Sequence, residues 1–452
     1  MAPDDANIRE VHDSTSRGVL QIKKHELVYR CELVTPMYGG GVVPGEVDKG
    51  MPIRATAIRG QLRFWWRLIH RKNPRYSDDG KTDYRKLFQA EREIWGGLGE
   101  KENLMSSRVL LRLKYETKTI QIEEAAKFDL RDGRLRSTPT WKSWANNGYA
   151  LFPAQGKVSG GIHKPGDEPK KLLKPGYTWE MHLDVSRLNE VQRQEVDAAL
   201  RWWATFGGVG ARTRRGVGAI AVDQQQADCS FQPVRSVLKS ELEGSGCLMY
   251  YPETGVTSEN AIKVWEDLGK LLKEYRQGEN VGRNKGRENR PGRSRWPEPD
   301  AIRRLSRTHS SQHAPGHPAG NVMPRAALGL PIIFHFKDKG DPKDTTLKPL
   351  GKERMASPLV LRPYRAPEGW KPCLFVLPVD SLYDMKLELT GAVSKIFEVG
   401  EWWPLRKDEA KRRDLAEKVP PIIHANKKTN ETLNGFIQYF REKMMKKGSG
   451  NG

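Results

Sequence analysis

In HELVYRCELVTPMY, residues Leu27, Tyr29, Cys31 and Leu33 fall on alternate positions, the period of a strand with one buried face, and Pro36 ends it. A glycine-bearing stretch, GGGVVPGEVDKGMP, leads into ATAIRGQLRFWWRLIHR (55–71), where Ile58, Leu62, Trp65 and Ile69 recur at helical spacing. SRVLLRLKY (107–115) and YTWEMHLDV (177–185) return to strand alternation, strictly so at Tyr177, Trp179, Met181, Leu183 and Val185. LNEVQRQEVDAALRWWATF (188–206) reads as a second amphipathic helix, followed by GGVGARTRRGVG and a short strand, AIAVD. The order strand, helix, strand, strand, helix, strand predicts a ferredoxin-like (RRM-like) unit, one antiparallel sheet with both helices on one face. The Gly-, Pro- and Lys-rich stretch between the second and third strands is expected to project as an insertion.

From residue 234 the pattern restarts. GCLMYYP, LGLPIIFHF, SPLVLRP and PCLFVLPV read as strands, NAIKVWEDLGKLLKEYR and ETLNGFIQYFREKMMKK as helices, which predicts a second, more decorated ferredoxin-like domain. Residues 276–325 carry eleven Lys or Arg against four acids, with many Gly and Pro and no periodicity, and are expected to be a disordered or partner-ordered basic insertion. The reading is therefore α+β: two tandem ferredoxin-like domains with long insertions. Residues 1–26 are a disordered segment, 27–233 the first domain, 234–445 the second, and 446–452 a flexible tail.

Charge narrows the partner. Lys and Arg number 77 against 56 Asp and Glu, a net +21, and with a pI near 9.7 this favours a polyanion. No apolar run reaches the roughly 18 residues of a membrane span, and the opening MAPDDANIRE lacks the pattern of a signal peptide, so a cytoplasmic protein is expected. The four cysteines form no C-x2-C pair, which argues for free, buried thiols rather than a zinc ribbon or a disulfide framework.

Two segments carry candidate chemistry. Arg59, Arg63, Arg67 and Arg71 follow one another at i+4 beside the apolar face of the first helix, a stripe able to follow a phosphate backbone. The helix start, near Arg54 with Thr56 as a candidate N-cap, offers free N–H groups to an anion. Trp65 is expected in the core, whereas Trp66 fits either the core or a platform for a stacked base. In GGVGARTRRGVG, Gly208, Gly210 and Gly216 let the backbone approach a ligand, and Arg212, Arg214 and Arg215 supply bidentate phosphate contacts. The helix-loop-strand order is the reverse of a mononucleotide-binding P-loop, which is disfavoured. His309, His313 and His317 have the spacing of metal ligands on a helix, but Pro315, Gly316 and Pro318 forbid that helix, so no metal and no cofactor are expected. No serine or cysteine nucleophile motif is present; His70 and His25 are the available general bases for a nuclease.

TPMYGGG, RATAIRGQLRFWWR, FGGVGARTRRGVG, PRAALGLPI and RMASPLVLR, in that order, resemble the signatures of the RAMP superfamily, in particular the subunit that caps the type III-B (Cmr) CRISPR effector complex. The resemblance implies tandem ferredoxin-like domains at the head of a ribonucleoprotein, beside the 3′ portion of the guide RNA (crRNA) where target RNA is first engaged, with other Cmr subunits as neighbours. It implies no catalytic residue in this chain. It places RNA contacts at Arg54, Arg59 and Arg63, at Gly208, Gly210, Arg212, Arg214 and Arg215, and more weakly at Arg325 and Arg354; the arginine stripe and the glycine loop add Arg67 and Gly216. The rival expectations are a metal-independent endoribonuclease of the same superfamily that cuts CRISPR repeats, and a basic scaffold without RNA contact.

Overall fold

β1 (Glu26–Leu33) buries Tyr29, Cys31 and Leu33 and turns Arg30 and Glu32 outward, the alternation its sequence predicts. The computed structural model describes residues 26–445 except 79–80, 100–102, 116–119, 132, 141–147, 159–161, 255–256 and 288–290. The expected N-terminal segment up to residue 25 and the tail from 446 lie outside the described residues.

After β1 come α1 (Ala55–His70), α2 (Tyr84–Trp95), β2 (Leu110–Tyr115), β3 (Thr178–Asp184), α3 (Glu190–Phe206), β4 (Ile220–Gln225) and β5 (Phe231–Pro233). The strands form one antiparallel sheet in the order β5-β4-β1-β3-β2. Without the edge strand β5 this is the 4-1-3-2 order of a ferredoxin-like unit. Ile58, Leu62, Trp65 and Trp66 of α1 and Val196, Leu200, Trp203 and Phe206 of α3 share a core with the inward residues of the sheet. α3 is set by a capping box, Asn189 accepting from the Gln192 N–H and Gln192 answering to the Asn189 N–H. α2 is an addition to the sequence reading; Asp83 caps it by accepting from the N–H groups of Arg85 and Lys86. Within the insertion, Ala126–Arg131 pairs with Arg134–Pro139, and Lys171–Leu173 lies between Ile122–Glu124 and Met37–Tyr38. The insertion therefore folds back onto the chain that leaves β1.

The second half contains β6 (Leu248–Tyr250), α4 (Ala261–Gln277), α5 (Glu298–Ser306), β7 (Ile332–Phe334), β8 (Thr345–Pro349), β9 (Leu359–Ala366), β10 (Gly369–Val376), β11 (Leu387–Thr390), β12 (Lys395–Phe397), α6 (Glu409–Glu417) and α7 (Thr432–Phe440). β6, α4, β9 and β10 repeat the first four elements of the ferredoxin-like order, in the sheet β6-β10-β9. α7 packs beside α4 through Tyr275, whose ring lies 5.1 Å from Phe436 and 5.5 Å from Tyr439. Among the described residues no fourth strand joins this sheet, so the second repeat is partial. The expected strand around Ile332 belongs to a separate sheet, β7-β8-β11-β12.

The basic segment 276–325 departs from expectation, because its described part is folded. Trp296, Ala301 and Ile302 are buried in the core under α4, and the Trp296 indole donates to the Arg276 carbonyl at 3.1 Å. Few acids suffice to hold its arginines: Asp300 takes Arg293 and Arg303, Glu298 takes Arg325, and Asp341 from outside the segment takes Arg303 again. Counting charges along the chain missed that partner. Three of the cysteines are buried free thiols as expected, while Cys229 is exposed. No helix among the described residues is long and apolar enough to cross a membrane.

The hairpin β9–β10 joins the halves. Val360, Tyr364, Cys373 and Phe375 face the core of α1 and α3, whereas Leu359, Leu361, Leu374 and Val376 face the core of α4. Burial on both faces explains its near-continuous apolar runs. The Phe375 ring stacks on Phe206 at 4.0 Å and lies 6.0 Å from Trp65. Truncating Phe375 to Ala is expected to cost about 3–5 kcal/mol, read as a lower urea midpoint followed by tryptophan fluorescence.

Candidate nucleic-acid interface

RRM-like sheets bind single strands on their open face through exposed aromatics. Here that face presents Arg112 and Lys114 of β2, Glu180 and His182 of β3, Arg30 and Glu32 of β1, and Asp223 of β4. Its charges are largely paired, Lys114 with Glu180 at 3.3 Å and Asp223 with Arg365 at 2.6 Å, and Arg30 covers Phe231. Such a face gives a base nothing to stack on, which moves attention to the edge where the glycine loop lies.

There three distant segments meet. A Cβ placed on Gly40, in the turn after β1, would sit 3.6 Å from the Gly210 Cα and 3.5 Å from the Pro52 carbonyl oxygen. The loop 207–218 is pinned to the same turn: Ala211 N–H donates to Tyr38 O at 2.7 Å, Gly218 N–H to Pro36 O at 2.8 Å, and Thr35 Oγ1 to Gly216 O at 2.6 Å. Gly210 and Gly216 have φ of 75° and 70°, and a Cβ would come within 2.6 Å of Met37 Cγ and of Trp265 Cδ1 respectively. Gly208 is enclosed too, a Cβ meeting Gly218 O at 2.5 Å. These glycines allow close packing within the chain.

The candidate arginines separate into three groups. Arg214 and Arg215 turn inward: Arg214 donates to Ser357 O at 2.5 Å, and Arg215 to Leu359 O at 3.0 Å and Leu328 O at 3.4 Å. Desolvation pulls the Arg215 pKa down to about 10, so it stays cationic at neutral pH. Arg63 and Arg67 both grip Glu91 of α2, at 2.6 and 2.5 Å, and Arg325 is buried against Glu298 at 3.1 Å. The i+4 stripe is thus divided, with Arg71 reaching Asp380 at 2.7 Å. Arg59, Arg212 and Arg354 are left without an ion pair among the described residues, and Arg54 has only the nearby charge of Asp48. Arg54 is the N-cap of α1 and donates to Gly41 O at 3.1 Å, while Arg212 and Arg354 are exposed. α1 begins at Ala55, so Thr56 lies inside the first turn and does not cap it; that turn has no side-chain cap and no acid.

The RAMP superfamily model matches residues 30–221, the span from β1 to β4. The chain is also similar to solved structures: Cmr1 from Pyrococcus furiosus in its apo form (16% identity, 78% of this chain and 87% of that one, TM-score 0.40), a chain of the type III-B Cmr-beta complex bound to cognate target RNA (11%, 88% and 99%, 0.39), and a chain of a type IV-B CRISPR complex (17%, 47% and 93%, 0.28). No curated protein sequence matches it.

Within the matched segment, Trp66 is fully buried and donates to Glu195 at 3.2 Å, so it offers no platform for a base. His70 is buried beneath Trp66 and Tyr76, ring centroids 4.9 and 6.0 Å away; His25 lies outside the described residues. In the second half His309 and His317 contact the carbonyls of Ser310 and Arg295, so the three spaced histidines do not converge. His313, Asp338 and Asp341 do cluster, but Arg303 already holds both Asp341 oxygens, at 3.0 and 2.7 Å, which makes the group an ion-pair network. The residue that sequence reasoning missed is Arg276, buried at the end of α4. Its signal was its place four residues after Leu272, on the continuation of an apolar stripe.

Burial, reinforced by the charge of Arg75, lowers the His70 pKa from 6.5 to about 4. The unfolded chain takes up this proton near pH 6.5 and the folded chain only near pH 4. Its contribution is therefore complete above 6.5 and is lost as the pH falls towards 4, by roughly 3 kcal/mol. Replacing His70 by Phe is expected to flatten that part of the stability-versus-pH curve, measured by chemical denaturation at stepped pH.

Proposed function

We propose that this chain is a non-catalytic RNA-binding subunit of a type III-B CRISPR ribonucleoprotein, capping its head beside the 3′ portion of the guide and helping to capture target RNA among other Cmr subunits. The observation that carries the reading is the junction of the turn 39–41, the start of α1 and the loop 207–218, flanked by Arg54, Arg59 and Arg212. An uncapped helix start adds a positive dipole end and free N–H groups to these guanidinium groups. The match of residues 30–221 to the RAMP superfamily model and the order of the quoted motifs support the same reading. The burial of His70 speaks against the endoribonuclease that would use it as a base.

Binding led by phosphates suits a guide whose sequence varies, since base pairing supplies the specificity. The Arg59→Ala, Arg212→Ala double variant is expected to lower the slope of log affinity against log salt for single-stranded RNA by about 0.7 for each lost phosphate contact. Arg214→Ala, which removes an internal bond, should reduce stability and leave that slope in place. Fluorescence anisotropy across a salt series measures both. An unchanged slope in the double variant would favour the scaffold, and discrete cleavage of repeat RNA by the pure protein would favour the nuclease.

A further inference from the structure

The guanidinium of Arg276 is buried, with 9% of the residue exposed, and no described residue accepts a hydrogen bond from it; its Nε is fully enclosed without a partner. A buried charge is ordinarily paired, because the loss of water is otherwise uncompensated. The acid nearest in role, Glu298, is already committed to Arg325, accepting from its Nε at 3.1 Å and from its backbone N–H at 2.7 Å. What Arg276 has instead is the ring of Tyr149, 5.0 Å from its Cζ, an attraction that offsets only part of the desolvation.

Its surroundings are cationic. Tyr149 lies within electrostatic reach of Arg212, Arg215 and Arg276 alike; Arg276 feels the charge of Arg325, and Arg212 that of Arg354. Burial lowers the pKa of Arg276, Tyr149 and Glu298 oppose that shift, and Arg325 adds to it. Arg215 is fixed by backbone carbonyls and Arg325 by Glu298, so neither can turn away, while Arg212 and Arg354 are exposed. Concentrating like charges in this way around an acid, Glu298, that is already committed to Arg325 leaves an excess of positive charge that favours an anion beside it.

We propose that the region between the glycine loop, Tyr149 and the end of α4 is a phosphate seat, in which Arg276 neutralises one phosphate of an RNA strand whose neighbouring phosphates lie on Arg212 and Arg354. The identity of the strand rests on the function proposed above; the seat for a phosphate group does not. Methionine at position 276 keeps the aliphatic stem that packs in the core and removes the charge.

The test uses the full chain as wild type, Arg276→Met and the exposed-site variant Arg354→Ala, with labelled oligouridine and inorganic pyrophosphate as probes. Arg276→Met should weaken RNA binding by roughly 10-fold or more and lower its salt slope by about 0.7. Arg354→Ala should lower the slope likewise. Pyrophosphate should raise the melting temperature of the wild type and not that of Arg276→Met, and without ligand the variant should melt no lower than the wild type. Wild-type affinity and slope in both variants, or a wild type that pyrophosphate fails to stabilise, would overturn the seat even if RNA still binds. If pyrophosphate stabilises through Arg276 while oligouridine does not bind, the seat stands and the RNA assignment falls.

Discussion

The position of the glycine loop depends on one buried guanidinium with no acid beside it. Arg362, on the face of β9 that looks toward α1 and α3, donates to Gly207 O at 2.5 Å, Ile220 O at 3.0 Å and Pro363 O at 3.1 Å. Burial lowers its pKa to about 10, so it stays charged at neutral pH. Gly207 and Ile220 bracket the loop, and the hairpin that carries Arg362 is buried on both faces, so the second half of the chain fixes where the loop of the first half begins and ends. Burying a charge costs stability, and here it yields a defined placement. Arg214 and Arg215 repeat the arrangement by donating to carbonyls of Ser357 and Leu359 at the start of the same hairpin.

This use of arginine changes what a net charge of +21 means. Much of the positive charge near the candidate interface is structural: Arg63 and Arg67 with Glu91, Arg325 with Glu298, and Arg214, Arg215 and Arg362 with backbone carbonyls. Charge available to a polyanion is what these contacts leave over, and it is local to Arg59, Arg212, Arg354 and Arg276. A summed charge describes steering at long range. Grip is decided by the guanidinium groups that lack an internal acceptor.

The first repeat was legible because its elements obey local rules. Alternation in β1 and β3 and the apolar stripes of α1 and α3 place these elements within a few residues of where they are found, and their order is enough to specify the sheet. α2 was missed because its sequence, DYRKLFQAEREIW, is charged throughout, with only Leu87, Glu91, Ile94 and Trp95 buried. The basic segment 276–325 was misread because its compensating acid, Asp341, and its packing partners lie far away in sequence. The glycine loop was found, but the side on which each arginine leaves it was not, since that is set by carbonyls more than a hundred residues downstream. Sequence patterns carry local periodicity well and partners chosen by tertiary packing poorly.

A loop pinned at both ends to the turn after β1 and to β9 has little conformational freedom left to lose, so a strand that docks there meets a preformed surface and pays mainly for its own ordering. The chemistry exposed beside it is guanidinium, helix N–H groups and the aliphatic side chains of Val42, Val43 and Met51, 77%, 55% and 48% exposed. Guanidinium and N–H groups favour phosphate, and aliphatic groups can pack on a ribose or the face of a base without distinguishing its edge. The fixed shape would then select a backbone geometry while tolerating any base, because discrimination between bases requires oriented donors and acceptors on their edges.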